Sequence, residues 1–309
     1  MTRVFIDGGA GTTGLRIRER LSARRDLELV VLGEETRKDF SARRDAMNSS
    51  GVVFLCLPDD AAREAVGMLE NPDTVLIDTS TAHRTADGWE YGFPELSARR
   101  ARIACAKRIA NPGCHATGFI ALVEPLVRAG LLPRDAALCA FSLTGYSGGG
   151  KKMIAEYDSV LPAVGFMGGR QYALGQQHKH LPEMAKICNL ERPPVFSPVI
   201  VPHYSGMQTS VMLHADATCG SLERIAQCYA DCYSGNGVVR YVPQVDLPPV
   251  LSSGMLSGRD DMVVTVHGCG ERIVLSAIFD NLGKGASGAA IQNMNLAIGA
   301  DETEGLCLS

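Results

Sequence analysis

A short apolar run at residues 4–6 leads directly into Gly8-Gly9-Ala10-Gly11-Thr12-Thr13-Gly14, after which Leu15, Ile17 and Leu21 fall at helical spacing. A strand, a glycine-rich turn and a helix in that order constrain the fold more than any other feature of the chain. Glycine tolerates positive φ and lets the backbone approach a ligand closely, while the free N–H groups and the positive end of the helix attract an anion such as a pyrophosphate. The spacing G-x-x-G-x-x-G departs from the usual G-x-G-x-x-G, so its strand–turn–helix setting carries the reading. Glu34 or Glu35, about 20 residues past the turn, suits the ribose 2′-hydroxyl of NAD. Arg37 and Lys38 suit the 2′-phosphate of NADP instead, and the residues alone leave both choices open.

Further apolar runs at 29–32, 52–55 and 75–77, with an amphipathic stretch at 61–69, continue the alternation of strand and helix. Short connections of this kind predict a doubly wound parallel sheet, an α/β Rossmann-type domain. The texture changes beyond residue 80, and an apolar helix at 115–129 is expected to close the first domain. From residue 136 the runs lengthen and become β-rich, at 138–144, 195–201, 210–214, 262–267 and 273–279, with a helix at 222–233. This predicts an α+β second domain over 114–281, with 1–113 and 282–309 forming the first and helix 115–130 at the boundary.

With 46% hydrophobic and 21% charged residues, the 309-residue chain has the core of a globular protein and none of the signature of disorder. Thirty basic against thirty-four acidic side chains argue against a nucleic-acid binder. Ten cysteines include no C-x-x-C pair, which disfavours a zinc ribbon. No signal peptide or membrane span is read, so the expectation is a cytoplasmic protein with reduced thiols.

One cysteine stands apart. Asn111-Pro112-Gly113 is a turn that delivers Cys114 to the start of the apolar helix. Unpaired amides and the helix dipole there favour a thiolate, and the same amides suit an oxyanion on an attacked carbonyl. A cysteine nucleophile beside a nicotinamide cofactor implies hydride transfer to or from an acyl-thioenzyme, which calls for a general acid–base. His178 and His180, in Gln177-His178-Lys179-His180-Leu181-Pro182-Glu183, are the candidates, with Glu183 near enough to orient an imidazole. No further ligands accompany the pair, so no metal is expected. His203, His214 and His267 lie in apolar stretches as structural histidines, and His83 and His115 stay open.

The runs Asn111-Pro112-Gly113-Cys114, His178-Lys179-His180-Leu181-Pro182-Glu183 and Asp280-Asn281-Leu282-Gly283-Lys284-Gly285, in that order, resemble the shorter form of the N-acetyl-γ-glutamyl-phosphate reductases, within the semialdehyde dehydrogenase superfamily. The resemblance spans residues 8–295. It implies Cys114 as nucleophile, His180 ahead of His178 as acid–base, and Gly8, Gly11, Thr12, Thr13 and Gly14 on the pyrophosphate of NADP. It further implies Asn281 closing over the cofactor, Arg84 and Lys151 on an anionic substrate, and a homodimer or homotetramer of arginine biosynthesis acting on a small acyl phosphate. Two positions depart from the family: His115 stands where an aromatic is common, and Lys151 where arginine is commoner. Lysine is a point charge rather than a bidentate fork. Rival readings are an aspartate-semialdehyde dehydrogenase, a lysine-pathway acyl-phosphate reductase, or a dinucleotide-binding regulatory protein without catalysis.

Overall fold

The structure is a computed structural model that describes residues 1–159, 164–235 and 237–308. It divides into two compact units. The first comprises Met1–Pro94, Ala98–Gly113 and Ala286–Leu306. Its elements are β1 (Thr2–Asp7), α1 (Thr12–Leu21), β2 (Leu27–Val30), α2 (Phe40–Asn48), β3 (Val52–Leu55), α3 (Asp59–Gly67), β4 (Val75–Asp78), β5 (Glu90–Tyr91), α4 (Arg99–Cys105) and β6 (Arg108–Ala110). The strands pair in the order β2-β1-β3-β4-β6-β5, all parallel. Alternate residues feed two cores: Val4, Phe54 and Ile77 pack with Ile17 and Leu21, whereas Phe5, Val53 and Leu76 pack with Met47 and Met68. A sheet covered on both faces explains why β3 and β4 read as unbroken apolar runs. The order reverses between β1 and β3, and ligand crevices of such sheets open at the carboxyl ends of strands at this point. Gly8 follows β1 there.

The second unit holds Glu95–Ser97, Cys114–Gly285 and the tail from Cys307. It contains α5 (Cys114–Arg128), β7 (Cys139–Gly145), α6 (Gly150–Tyr157), β8 (Arg170–Gln171), α7 (Leu181–Ile187), β9 (Val195–Val201), β10 (Met207–His214), α8 (Leu222–Tyr233), β11 (Val239–Tyr241), β12 (Met262–Gly268) and β13 (Arg272–Phe279). The chain then contributes α9 (Gly288–Ala297) to the first unit. The second sheet runs β11-β12-β13-β10-β7-β9-β8; β10 is antiparallel to both neighbours, while β7 and β9 are parallel.

Helix α5 does not close the first unit as its apolar sequence suggested; it packs in the second, on β10 and β13. Gly118 lets it sit close, because a Cβ there would lie 2.5 Å from Thr209 Oγ1. Pro125 has no N–H to give the Ala121 carbonyl one turn back. The buried Tyr233 hydroxyl donates to that carbonyl at 2.6 Å, and Tyr229 donates to Leu122 O at 2.6 Å. The proline is thus absorbed without an orphaned acceptor at Ala121, and the helix runs unbroken from its first residue, Cys114, to Arg128.

Candidate active site

Asn111 pins the turn ahead of the cysteine. Its N–H donates to Asp78 O (2.8 Å), its side-chain amide donates to Ala286 O (3.0 Å), and its side-chain oxygen accepts from Asn293 Nδ2 (3.1 Å). Its carbonyl accepts from Arg84 Nε (3.0 Å). Arg84 also donates to Thr79 O at 3.0 Å and is buried, so two faces of a guanidinium expected on substrate are spent on main-chain carbonyls. Cys114 opens α5 and is half-buried, with no acidic side chain in the first turn. Gly285 backs onto it, since a Cβ at 285 would stand 3.0 Å from the Cys114 Cβ.

Around α5 the second unit gathers three imidazoles. The rings of His178 and His180 are 4.7 Å apart, and that of His115 lies 5.4 Å and 5.8 Å from them. His180 is buried and directly precedes α7, whose first turn carries the buried Glu183. His178 Nδ1 accepts the backbone N–H of His180 at 3.1 Å, so this nitrogen is unprotonated. His115 is pushed down to about 3, first by burial and then by His178, and is a neutral ring. It bonds Ser142 Oγ through Nδ1 (2.8 Å) and Tyr172 through Nε2 (2.7 Å). Burial, and after it the charge of Cys114, raises the Tyr172 phenol. Tyr172 and Ser142 carried no signal in the sequence.

Asn281 and Lys151 lie apart from one another in character. The Asn281 amide is buried and bridges Gly206 N–H (2.9 Å) to Ser147 Oγ (3.0 Å), a brace within the second unit. Lys151 is exposed on α6. Lys284, two residues before the first unit resumes, is fully buried against both oxygens of Glu95 at 2.8 Å.

The glycine turn of the first unit has the form of an anion cradle. Gly8 adopts φ +82°, and a Cβ there would collide with the Cys56 carbonyl. A Cβ on Gly14 would lie 2.8 Å from Gly9 Cα. Gly11 begins α1 without a side-chain cap or an acid in the first turn, and the first helical bond is Leu15 N–H to Gly11 O at 2.8 Å. The amides of Thr12, Thr13 and Gly14 are therefore uncapped by side chains, which fits a pyrophosphate. Glu34 and Arg37, candidates for opposite cofactor choices, pair with each other at 2.8 Å on the surface. Such an exposed pair is weak enough for a phosphate dianion to displace, and Lys38 beside it is exposed. Among the described residues no group of three or more His, Cys, Asp or Glu is placed to hold a metal ion.

Residues 3–104 match the semialdehyde dehydrogenase NAD binding domain, and residues 114–281 the semialdehyde dehydrogenase dimerisation domain. The chain is 43% identical to N-acetyl-gamma-glutamyl-phosphate reductase 2 of Pseudomonas putida over 98% of each protein. It is 44% identical to the N-acetyl-gamma-glutamyl-phosphate reductase of Rhizobium meliloti, over 96% of this chain and 99% of that one. In fold it is similar to aspartate semialdehyde dehydrogenase II of Vibrio cholerae, with TM-score 0.72 and 18% identity over 96% of this chain and 98% of that one. The aspartate semialdehyde dehydrogenase of Candida albicans, solved with NADP, gives TM-score 0.65 at 15% identity over 96% and 99% of the two chains.

Proposed function

The chain belongs to the N-acetyl-gamma-glutamyl-phosphate reductases of the semialdehyde dehydrogenase family, and from that premise we propose how its residues share the work. The protein is an NADP-dependent oxidoreductase of arginine biosynthesis that converts N-acetyl-γ-glutamyl phosphate to N-acetylglutamate semialdehyde. The observation that carries the scheme is a half-buried cysteine at the first residue of a helix, in the unit that also holds the paired imidazoles. His180 takes the Cys114 proton, and the thiolate attacks the acyl-phosphate carbon. A C–S bond forms, the C–O bond to phosphate breaks, and inorganic phosphate leaves. Amides of the first turn of α5 hold the carbonyl oxygen as it gains charge. Gly8, Gly11, Thr12, Thr13 and Gly14 would hold the pyrophosphate of NADPH, with Arg37 and Lys38 at its 2′-phosphate, and the cofactor when bound would supply the hydride that takes the thioester down to the aldehyde level. The C–S bond of the resulting thiohemiacetal then breaks, releasing the aldehyde and the thiolate, with its proton moving through His180. Glu183 orients His180, Lys151 attracts the substrate anion, and Arg84 and Asn281 hold the backbone around the site.

The scheme is tested in the phosphate-dependent direction. Given phosphate and NADP⁺, the enzyme is expected to oxidise N-acetylglutamate semialdehyde with kcat/KM about 100-fold above that for aspartate semialdehyde. Equal or reversed preference overturns the substrate assignment.

The dimerisation-domain match supports an oligomer, and we place its contact on the open face of the second sheet. Val195, Cys139, Met212 and Val274 are direct neighbours across β9, β7, β10 and β13, with Val195 61% and Met212 48% exposed. A contiguous apolar row of this kind favours a partner surface, here a second copy in a homodimer or homotetramer. Sedimentation should show that oligomer, and Met212→Glu should shift it toward the monomer; an unshifted oligomer removes this face from the contact. No helix among the described residues is long and apolar enough to cross a membrane, and we assign the enzyme to the cytoplasm, where reduced thiols persist.

A further inference from the structure

His115 adjoins the nucleophile in sequence, yet the scheme above gives it no part. A neutral imidazole has one N–H and one lone pair, and both its nitrogens are engaged. Ser142 Oγ, which meets Nδ1 at 2.8 Å, also meets Thr209 Oγ1 at 3.0 Å, and these two residues face each other across β7 and β10. Nε2 meets the Tyr172 hydroxyl at 2.7 Å. A continuous chain therefore runs from the middle of the sheet, through the first turn of α5, to a phenol that feels the charge on Cys114. The edges of His178 and Phe196 pack against the His115 ring at 5.4 Å and 5.3 Å, which fixes its plane. Each hydroxyl in such a chain would otherwise rotate freely, and a dipole held still beside a reacting charge stabilises it without reorganising.

We infer that His115 is a positioning residue: anchored by Ser142 and Thr209, it holds the Tyr172 hydroxyl in place at the first turn of α5, whose first residue is Cys114. This rests on the reductase scheme for its effect on turnover, and for its effect on the sulfur on the hydrogen-bond chain that reaches the residue next to Cys114, with the charge of Cys114 acting on the phenol. It differs from a packing role in what each replacement can reach. The amide of glutamine extends about as far as Nε2 and can still hold Tyr172, whereas that of asparagine extends only to Nδ1 and keeps Ser142 alone.

The test uses H115Q, H115N, Y172F and the double variant H115N/Y172F in the full-length enzyme. Removing a single positioned hydrogen bond is expected to lower kcat about tenfold in H115N and in Y172F, with KM within about twofold. The double variant should lose no more than either single one, because the two act as a unit. H115Q should stay within about threefold of the parent. Losses that multiply in the double variant, H115N indistinguishable from H115Q, or H115N as active as the parent would each overturn the inference. The second readout is the alkylation rate of the Cys114 peptide by iodoacetamide at neutral pH, which needs neither substrate nor cofactor. The same grouping is expected, with H115N and Y172F shifted alike and H115Q near the parent. A parent inactive on N-acetylglutamate semialdehyde that keeps this alkylation pattern refutes the substrate assignment alone; an alkylation rate equal in all four variants and the parent refutes the role of His115.

Discussion

Cys114→Ala is expected to lower kcat in the phosphate-dependent oxidation of N-acetylglutamate semialdehyde by about 10⁴-fold or more, with the thermal unfolding transition unchanged. The size of the effect follows from covalency: without sulfur there is no acyl-enzyme to accept or yield the hydride, and no other group replaces it. The unchanged stability follows from the surroundings. The side chain is half-buried, and alanine keeps the Cβ that Gly285 backs onto, so losing the one sulfur atom opens no large cavity. A loss of tenfold or less would mean that turnover does not pass through an acyl-enzyme on Cys114. Alkylation counted over the whole chain is a poor discriminator. Burial raises the thiols of Cys56, Cys188, Cys228 and Cys232, which removes them as competitors. Cys269, however, is exposed, and hydrogen bonds from Glu271 and Arg272 lower its pKa. Reactivity must therefore be assigned to a peptide and not counted per chain.

What the sequence disclosed follows from how local each signal is. The strand–glycine–helix turn and the Asn111-Pro112-Gly113-Cys114 turn each lie within one short segment, and their residues fall where that reading put them. The long strands of the second unit declared themselves by length and alternation. By contrast β5, with two residues, and β6, with three, are too short to show any period. Helix α2, FSARRDAMN, buries only Ala46 and Met47 and has almost no apolar stripe to read. The packing partner of α5, a helix read as lying at the boundary, was hidden for a related reason: eleven of its fifteen residues are buried, and a helix apolar all round does not say which partner covers it. The chain Thr209–Ser142–His115–Tyr172 was invisible for a different reason. Its members lie tens of residues apart and meet through the register of β7 with β10 and the packing of α5 against the sheet, which no single segment encodes. Arg84 shows the converse, a cation noticed for its charge, two of whose donors bond carbonyls that only the fold brings to it.

Of the two histidines that the sequence could not separate, His180 is expected to carry the proton. His180→Asn should lower kcat by about 10²- to 10⁴-fold, the range for removing a general acid–base, whereas His178→Asn should cost about tenfold or less. The distinction rests on one hydrogen bond. His178 Nδ1 accepts the main-chain N–H of His180, so it has no lone pair to offer a proton while that bond stands, and an imidazolium at 178 would have to break it. The bond also fixes the turn into α7, and a neutral asparagine retains an acceptor at about the same reach, which keeps the expected penalty small. His180 instead enters α7 beside the buried Glu183, a carboxylate suited to stabilise the imidazolium formed when the thiol gives up its proton. If the two substitutions exchange magnitudes, with His178→Asn the more damaging, the proton travels through the other ring, and the bond to His180 N–H must break in each turnover.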